Sequence, residues 1–201
     1  MKSTVLIRDF EERDIDFIHQ CKNDAKLNEM IVGKYHPFSY EEAVRWVHGC
    51  MGEHENFKFW AVCTNDEEKR IVGWVSLSEI DIDNRSACHH GLVIGDASYR
   101  DGTGMFEAML LSMEYAFEVL NIHRLYGSCF ADHKISPYLL KSLGFTNEGK
   151  RRDACYKNNR YYDILDFALL ESDYYSYIND GTYKLPYLIK AFVKIIKNSK
   201  L

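Results

Sequence analysis

The sequence predicts an α/β fold, a mixed and mostly antiparallel sheet with helices on both faces. Three observations predict it. Seven runs of strand length, rich in β-branched and aromatic residues, are interleaved with segments of helical periodicity. Most neighbouring strands are joined by short polar turns, which makes them antiparallel. One strand pair, between Cys88 and Ala131, is separated by a long helical segment, a crossover of the length a parallel pair requires.

The elements follow in order. Thr4–Arg8 alternates as a short strand, and Glu11–Leu27 carries Ile15, Phe17, Ile18, Cys21 and Leu27 at helical spacing. Ser39 with Glu42 three residues later is a capping-box pattern that opens a second helix over Glu41–Met51. Strands follow at Phe57–Thr64, Ile71–Ile82 and Cys88–Gly95, separated by the polar turns Asn65–Lys69 and Asp83–Ser86. Gly104–Leu120 is the central helix, and Arg124–Ala131 is the next strand. Ile135–Leu143 is a short helix that stops at Gly144, a residue suited to the left-handed position after a helix end. Strands near Thr146–Tyr156 and Tyr161–Leu170 close the pattern across Lys157–Arg160, where two asparagines tolerate positive φ.

Composition excludes several classes. A formal net charge of -5 argues against a general nucleic-acid binder. The six cysteines form no C-x-x-C pair and several lie in apolar runs, as expected of reduced, buried thiols in a cytoplasmic protein. The first residues show no secretory signal, and no run approaches the ~18 apolar residues of a membrane span. No metal-ligand spacing is present. The absence of G-x-x-x-x-G-K-[ST] argues against an NTPase.

The most informative stretch runs from Gly91 to Ala108. An apolar strand enters a small-residue loop, and the loop enters a helix. Loop N–H groups and the unpaired N–H groups of a first helical turn make an anion site, with a pyrophosphate as its natural occupant.

Four stretches in this order resemble the GNAT superfamily of acetyl-CoA-dependent N-acetyltransferases, in the branch of ribosomal-protein and nucleotide-aminosugar acetyltransferases. They are Ile71–Arg85, Gly91–Gly95, Tyr99–Ala108 and His133–Phe145, and the likeness covers about residues 4–170. The resemblance implies a GNAT-like acyl-CoA N-acyltransferase domain over 1–170, followed by a helical extension over 171–201. It also implies direct transfer of the acetyl group of acetyl-CoA to a primary amine: a protein N-terminus, an amino sugar or another small amine. A non-catalytic acyl-CoA-binding or regulatory module of the same fold is the alternative.

The resemblance assigns cofactor contacts to Leu92, Val93 and Ile94 on the strand, to Arg100, Asp101, Gly102, Thr103, Gly104 and Met105 at the loop and helix start, and to His133 and Ser136. It depends on some substituted positions. The family's small loop residues fall on Thr103 and Met105 here, with glycines shifted to 102 and 104. His133 replaces a frequent Asn, and Leu140 stands where a Tyr often serves as general acid; Tyr138 is about 200° round the helix from it.

An amine must be neutral to attack, so a base is expected. His89 stands roughly where this branch often carries Glu, and an imidazole suits the task. By period two, His89 shares a strand face with Gly91 and Val93, and His90 takes the other. Glu79, acting through water, is a second candidate. Tyr35 and Phe38, in the loop between the first two helices, are candidate acceptor contacts. Glu107 and Glu114 read as solvent-facing or locally paired. In the extension a helix starts near Pro186, with Lys190, Lys194 and Lys197 on one face and Ile189, Phe192, Val193 and Ile196 on the other. Three uses suit it: packing on its own domain, covering a partner in a homodimer, or lying on an anionic membrane surface.

Overall fold

The computed structural model describes residues 4–29, 31–33, 35–99 and 103–198. Seven strands form one sheet: β1 (Val5–Arg8), β2 (Lys58–Thr64), β3 (Ile71–Asp81), β4 (Ser86–Ile94), β5 (Arg124–Phe130), β6 (Thr146–Lys157) and β7 (Arg160–Leu170). Their order is β1-β2-β3-β4-β5-β7-β6, and only β4 and β5 run parallel. The helices are α1 (Ile15–Asn23), α2 (Ala25–Asn28), α3 (Tyr40–Cys50), α4 (Thr103–Glu114), α5 (Ser136–Ser142), α6 (Glu171–Asn179) and α7 (Leu185–Asn198).

The helices divide between the faces as expected. On one face α1 and α3 bury Ile15, Ile18, Cys21, Ala43 and Val47 against Ala61, Cys63, Ile71 and Trp74. On the other, α4 buries Phe106, Ala108, Met109 and Met113 against Val62, Val72, Val75, Leu77 and Leu125. The capping box at Ser39 and Glu42 forms in both directions and starts α3.

Four sequence expectations change. The first helix is broken at Asp24, whose side chain accepts from the N–H groups of Lys26 and Leu27 and starts α2 afresh. The central helix ends in a π turn over Tyr115–Val119, the wider hydrogen-bonding pattern carrying it to Leu120. Residues 171–179 form α6, an additional helix in the extension, where the sequence placed one only near Pro186. Glu107 is buried rather than solvent-facing or locally paired: its carboxylate accepts from Thr4 N at 2.8 Å, Thr4 Oγ1 at 2.5 Å and Val5 N at 3.1 Å, tying α4 to β1. The helix near Pro186 is α7. It packs against α4 and α5, with Leu188 fully buried and Phe192 edge-on to Phe106 at 5.6 Å.

Two irregularities shape the centre of the sheet. β4 and β5 pair only at Ser86–Arg124, Ala87–Leu125 and Cys88–Tyr126 and then separate. In the β3–β4 ladder Ser76 pairs with Gly91 and Leu77 with His89, so His90 is an extra residue on β4. Gly91, at φ +126, supplies the backbone this bulge needs.

Candidate active site

The separation of β4 from β5 opens a cleft on the α4 side. One part is lined by Leu92, Val93, Ile94, Met105, His133, Ser136 and, from α7, Phe192. It continues inward to His89, Gly127, Cys129, Leu139 and Leu140. Most of the predicted cofactor residues are therefore brought together along one wall and one rim. Thr103 and Gly104 form the first turn of α4 at the outer end, the positive end of the helix dipole. Arg100, Asp101 and Gly102 lie outside the described residues. Leu140, at the position where the resemblance placed a Tyr, lines the inner cleft and brings no proton donor there.

His133 is held by its own helix. Its Nδ1 accepts from Ile135 N and Ser136 N, both at 3.0 Å, capping the start of α5. That commitment puts the ring proton on Nε2, a donor. Burial lowers the His133 pKa, and protonation at Nδ1 would also cost both capping bonds.

His89 does not take the strand face that simple alternation assigned it. The bulge at His90 shifts the parity, so His89 lies on the α4 face with Leu92 and Ile94, opposite Val93. Its Nε2 is 3.0 Å from Ser112 Oγ, and that hydroxyl donates to Met109 O at 2.9 Å. Nε2 therefore carries the proton and Nδ1 is the basic nitrogen. The side chain of His90 lies outside the described residues. Gly127 keeps the strands close beside His89: a Cβ there would lie 2.9 Å from His89 O.

A second cavity lies on the α1/α3 face and meets the cleft at Ile31, Val32, His89, Gly91, Val93 and Ser128. It is lined further by Lys22, Trp46, Phe59, Trp74, Ser76 and Cys88. Tyr35 and Phe38 line its extension under the α2–α3 loop, together with Lys22, His36 and Lys157. The Tyr35 hydroxyl donates to Asn23 O at 3.1 Å, while the Asn23 side chain bonds both backbone groups of Phe38. Lys157, on the β6–β7 hairpin, donates to Asn28 O and Ile31 O at 2.6 Å each and so holds this loop across the open part of the sheet. Burial lowers the Lys157 pKa.

Glu79 sits at the end of β3 with φ 49, next to a second irregularity of the ladder. It accepts from the Tyr126 hydroxyl at 2.8 Å and lines an acidic recess with Asp81 and Asp83. Burial, and then the bond to Glu79, pushes the Tyr126 phenol up to about 12. Glu79 thus lies beyond Cys88, away from the junction of the two cavities. Burial pushes the Cys88 thiol up to about 11. Lys22, Trp74, Ser128 and Lys157 were not singled out from the sequence, and Phe192 was placed only on the apolar face of the C-terminal helix. They come from five different elements, and no local pattern joins them.

Among the described residues no group of His, Cys, Asp and Glu is arranged to hold a metal ion, and no helix is long and apolar enough to cross a membrane. A family profile described as an acetyltransferase (GNAT) domain matches residues 4–146. The chain is 26% identical over 176 residues to a spermidine N(1)-acetyltransferase of Vibrio cholerae, covering 87% of this chain and 97% of that one. It is 25% identical over 172 residues to a spermidine N(1)-acetyltransferase of Escherichia coli, covering 85% and 88%. A crystal structure of the spermidine N-acetyltransferase from Vibrio cholerae in complex with CoA and spermine superposes with a TM-score of 0.75 at 23% identity, covering 86% of this chain and 98% of that chain.

Proposed function

This chain belongs to the acetyltransferase (GNAT) family, and on that premise we propose that it acetylates a primary amine by direct attack at the junction of the two cavities. Enzymes of this family use acetyl-CoA. The observation that carries the reading is the early separation of β4 from β5, which joins a cofactor-sized cleft to a separate acceptor cavity at His89, Gly91 and Ser128.

In this reading the pyrophosphate lies at the start of α4, where N–H groups and the helix dipole favour an anion. The pantetheine runs beside Leu92–Ile94, with the His133 Nε2–H as a polar contact on the opposite rim. A backbone N–H of β4 polarises the thioester carbonyl. The acceptor enters from the α1/α3 side and meets the carbonyl at the gap. His89 Nδ1 takes the proton of the attacking amine, Ser112 having committed Nε2 as a donor. Glu79 stands at the far end of the same open face, where a carboxylate favours an approaching ammonium. The departing thiolate has an ordinary thiol pKa near 8.5, so a strong acid in place of Leu140 is not obligatory.

Direct attack is favoured over an acyl-enzyme by the state of Cys88. It is the thiol lining the acceptor cavity, and at about 11 it carries negligible thiolate at neutral pH. Spermidine is the acceptor named for two relatives, so it belongs in any acceptor panel with amino sugars, short peptides and small amines. Calorimetry should give micromolar acetyl-CoA binding that depends on the pyrophosphate. Release of free CoA should then be accelerated by an amine and fall at least about a hundredfold in His89→Ala, the lower end of what a general base contributes. Tight cofactor binding with no amine-dependent CoA release across the panel would overturn the proposal.

A further inference from the structure

The acceptor cavity carries a cation where a polyamine site would carry carboxylates. Lys22, on α1, projects its ammonium among three aromatic rings: 4.6 Å from the Trp46 centroid, 5.3 Å from Trp74 and 5.9 Å from Phe38. Its ammonium makes no hydrogen bond or ion pair to another described residue, and the side chain lines both lobes of the acceptor cavity. The second cation of the cavity, Lys157, is satisfied by two carbonyls, and Glu29 acts on it from outside the lining. No Asp or Glu is among the described residues lining either lobe. At the positive end Glu42 is drawn to His36 and Glu29 to Lys157, outside the lining, whereas Glu79, Asp81 and Asp83 gather in a recess beyond Cys88 at the other end. From Val93, whose partner is Trp74, to Cys88 is about 15 Å along β4. The open face is thus dipolar, positive and aromatic at one end, negative at the other, with the β4–β5 gap between them.

We infer that the acceptor is a small amine bearing one acidic group, a carboxylate or phosphate, which binds the Lys22 ammonium while the apolar or flat body rests against Trp46 and Trp74. A desolvated lysine held by aromatic faces alone lacks an anionic partner, and a carboxylate or phosphate supplies it. Burial already holds the Lys22 pKa below its ordinary value with no carboxylate to offset it, so a further cation beside it is unfavourable. A polycation such as spermidine must bring a second ammonium against Lys22 and Lys157. This inference rests on the acetyltransferase reading above and names the acceptor class for the same site.

The test uses the full chain with saturating acetyl-CoA and matched acceptors: phenethylamine against phenylalanine, glucosamine against glucosamine 6-phosphate, and spermidine. The two pairs separate carboxylate from phosphate. The acidic member of at least one pair should exceed its neutral counterpart at least tenfold in kcat/KM, and spermidine should be poorest. Lys22→Met should abolish that ratio, Lys22→Arg should keep it, and Lys22→Glu should raise spermidine above the acidic amines. Spermidine as the best wild-type acceptor, or an acid-to-neutral ratio unchanged in Lys22→Met, would overturn the inference. A binding arm separates this from failure of the enzymatic reading. N-acetylphenylalanine and N-acetylglucosamine 6-phosphate should quench the fluorescence of Trp46 and Trp74, and Lys22→Met should remove the effect. Quenching without turnover leaves the acceptor class standing and sinks only the catalytic reading. Absence of quenching by both probes, in a wild type that binds acetyl-CoA, counts against the acceptor class. Near-ultraviolet circular dichroism checks that each variant folds.

Discussion

Single residues in this protein are set by what surrounds them more than by their type. The clearest case is the thiols. Burial raises Cys50 and Cys129 to about 12 and Cys63 and Cys88 to about 11. Reactivity follows the thiolate fraction, which at pH 7.5 is about two orders of magnitude below that of a free thiol for a pKa near 11. Iodoacetamide should therefore leave these four cysteines largely unmodified in the native protein at pH 7.5. Labelling should rise as pH climbs toward 10, and peptide mass spectrometry reads each site. Rapid modification of Cys88 at pH 7.5 would revive a thiolate nucleophile in the acceptor cavity. The same dependence on surroundings explains His89 and His133. Both were chosen from the sequence by position alone, yet in each one ring nitrogen has a structural partner, Ser112 for His89 and the start of α5 for His133.

At the scale of elements, two joints position the cofactor cleft. The first is the start of α5. His133 is lowered in the folded state by burial, so as pH falls the unfolded chain takes up its proton before the native one does. Stability from this group is present above the unfolded value near 6.5 and is lost as pH drops below it. His133→Asn keeps a side-chain acceptor for the helix start without a proton to gain, so its melting temperature should change less between pH 7.5 and 5.5 than the wild type's. His133→Ala should cost about 1 kcal/mol at pH 7.5, the usual cost of a lost cap. The second joint ties α4 to β1 through Glu107. Glu107→Ala strands two backbone N–H groups and a hydroxyl, at a cost of about 2–3 kcal/mol. Thermal denaturation should show a fall of about 5–10 °C for a chain of this size. A variant as stable as the wild type would mean that water replaces the carboxylate.

At the scale of the molecule, the α2–α3 loop and the last hairpin belong to one device although more than a hundred residues separate them. Lys157 bonds Asn28 and Ile31 and closes the cavity that α1 and α3 leave open. Lys157→Met keeps the stem and removes the donors. The expected outcome is a rise of about tenfold in the acceptor KM, with a smaller change in acetyl-CoA affinity, read by steady-state kinetics beside cofactor calorimetry. Equal loss of both affinities would mean that the loop supports the whole cleft. The C-terminal helices extend the same logic, because Phe192 of α7 reaches the cofactor cleft from outside the four stretches that carry the family resemblance.

The sequence by itself determined the order of the seven strands along the chain, the single parallel pair and the strand–loop–helix passage into α4. Each of these depends on local periodicity, a local turn or a strand–loop–helix order. It misjudged features that depend on register or on distant groups. His89 changed face because one extra residue at His90 shifts the parity of β4, and nothing in the order Cys88-His-His-Gly91 distinguishes a bulge from regular alternation. Glu107 appeared solvent-facing because its partners, Thr4 and Val5, lie about a hundred residues away. Lys22 carries no local signal, and Trp46 and Trp74 are brought around it from a second helix and a central strand. Only the tertiary structure decided the charge of the cavity on the α1/α3 face, since that charge is the sum of side chains contributed by several elements and no segment of the chain holds more than a part of it.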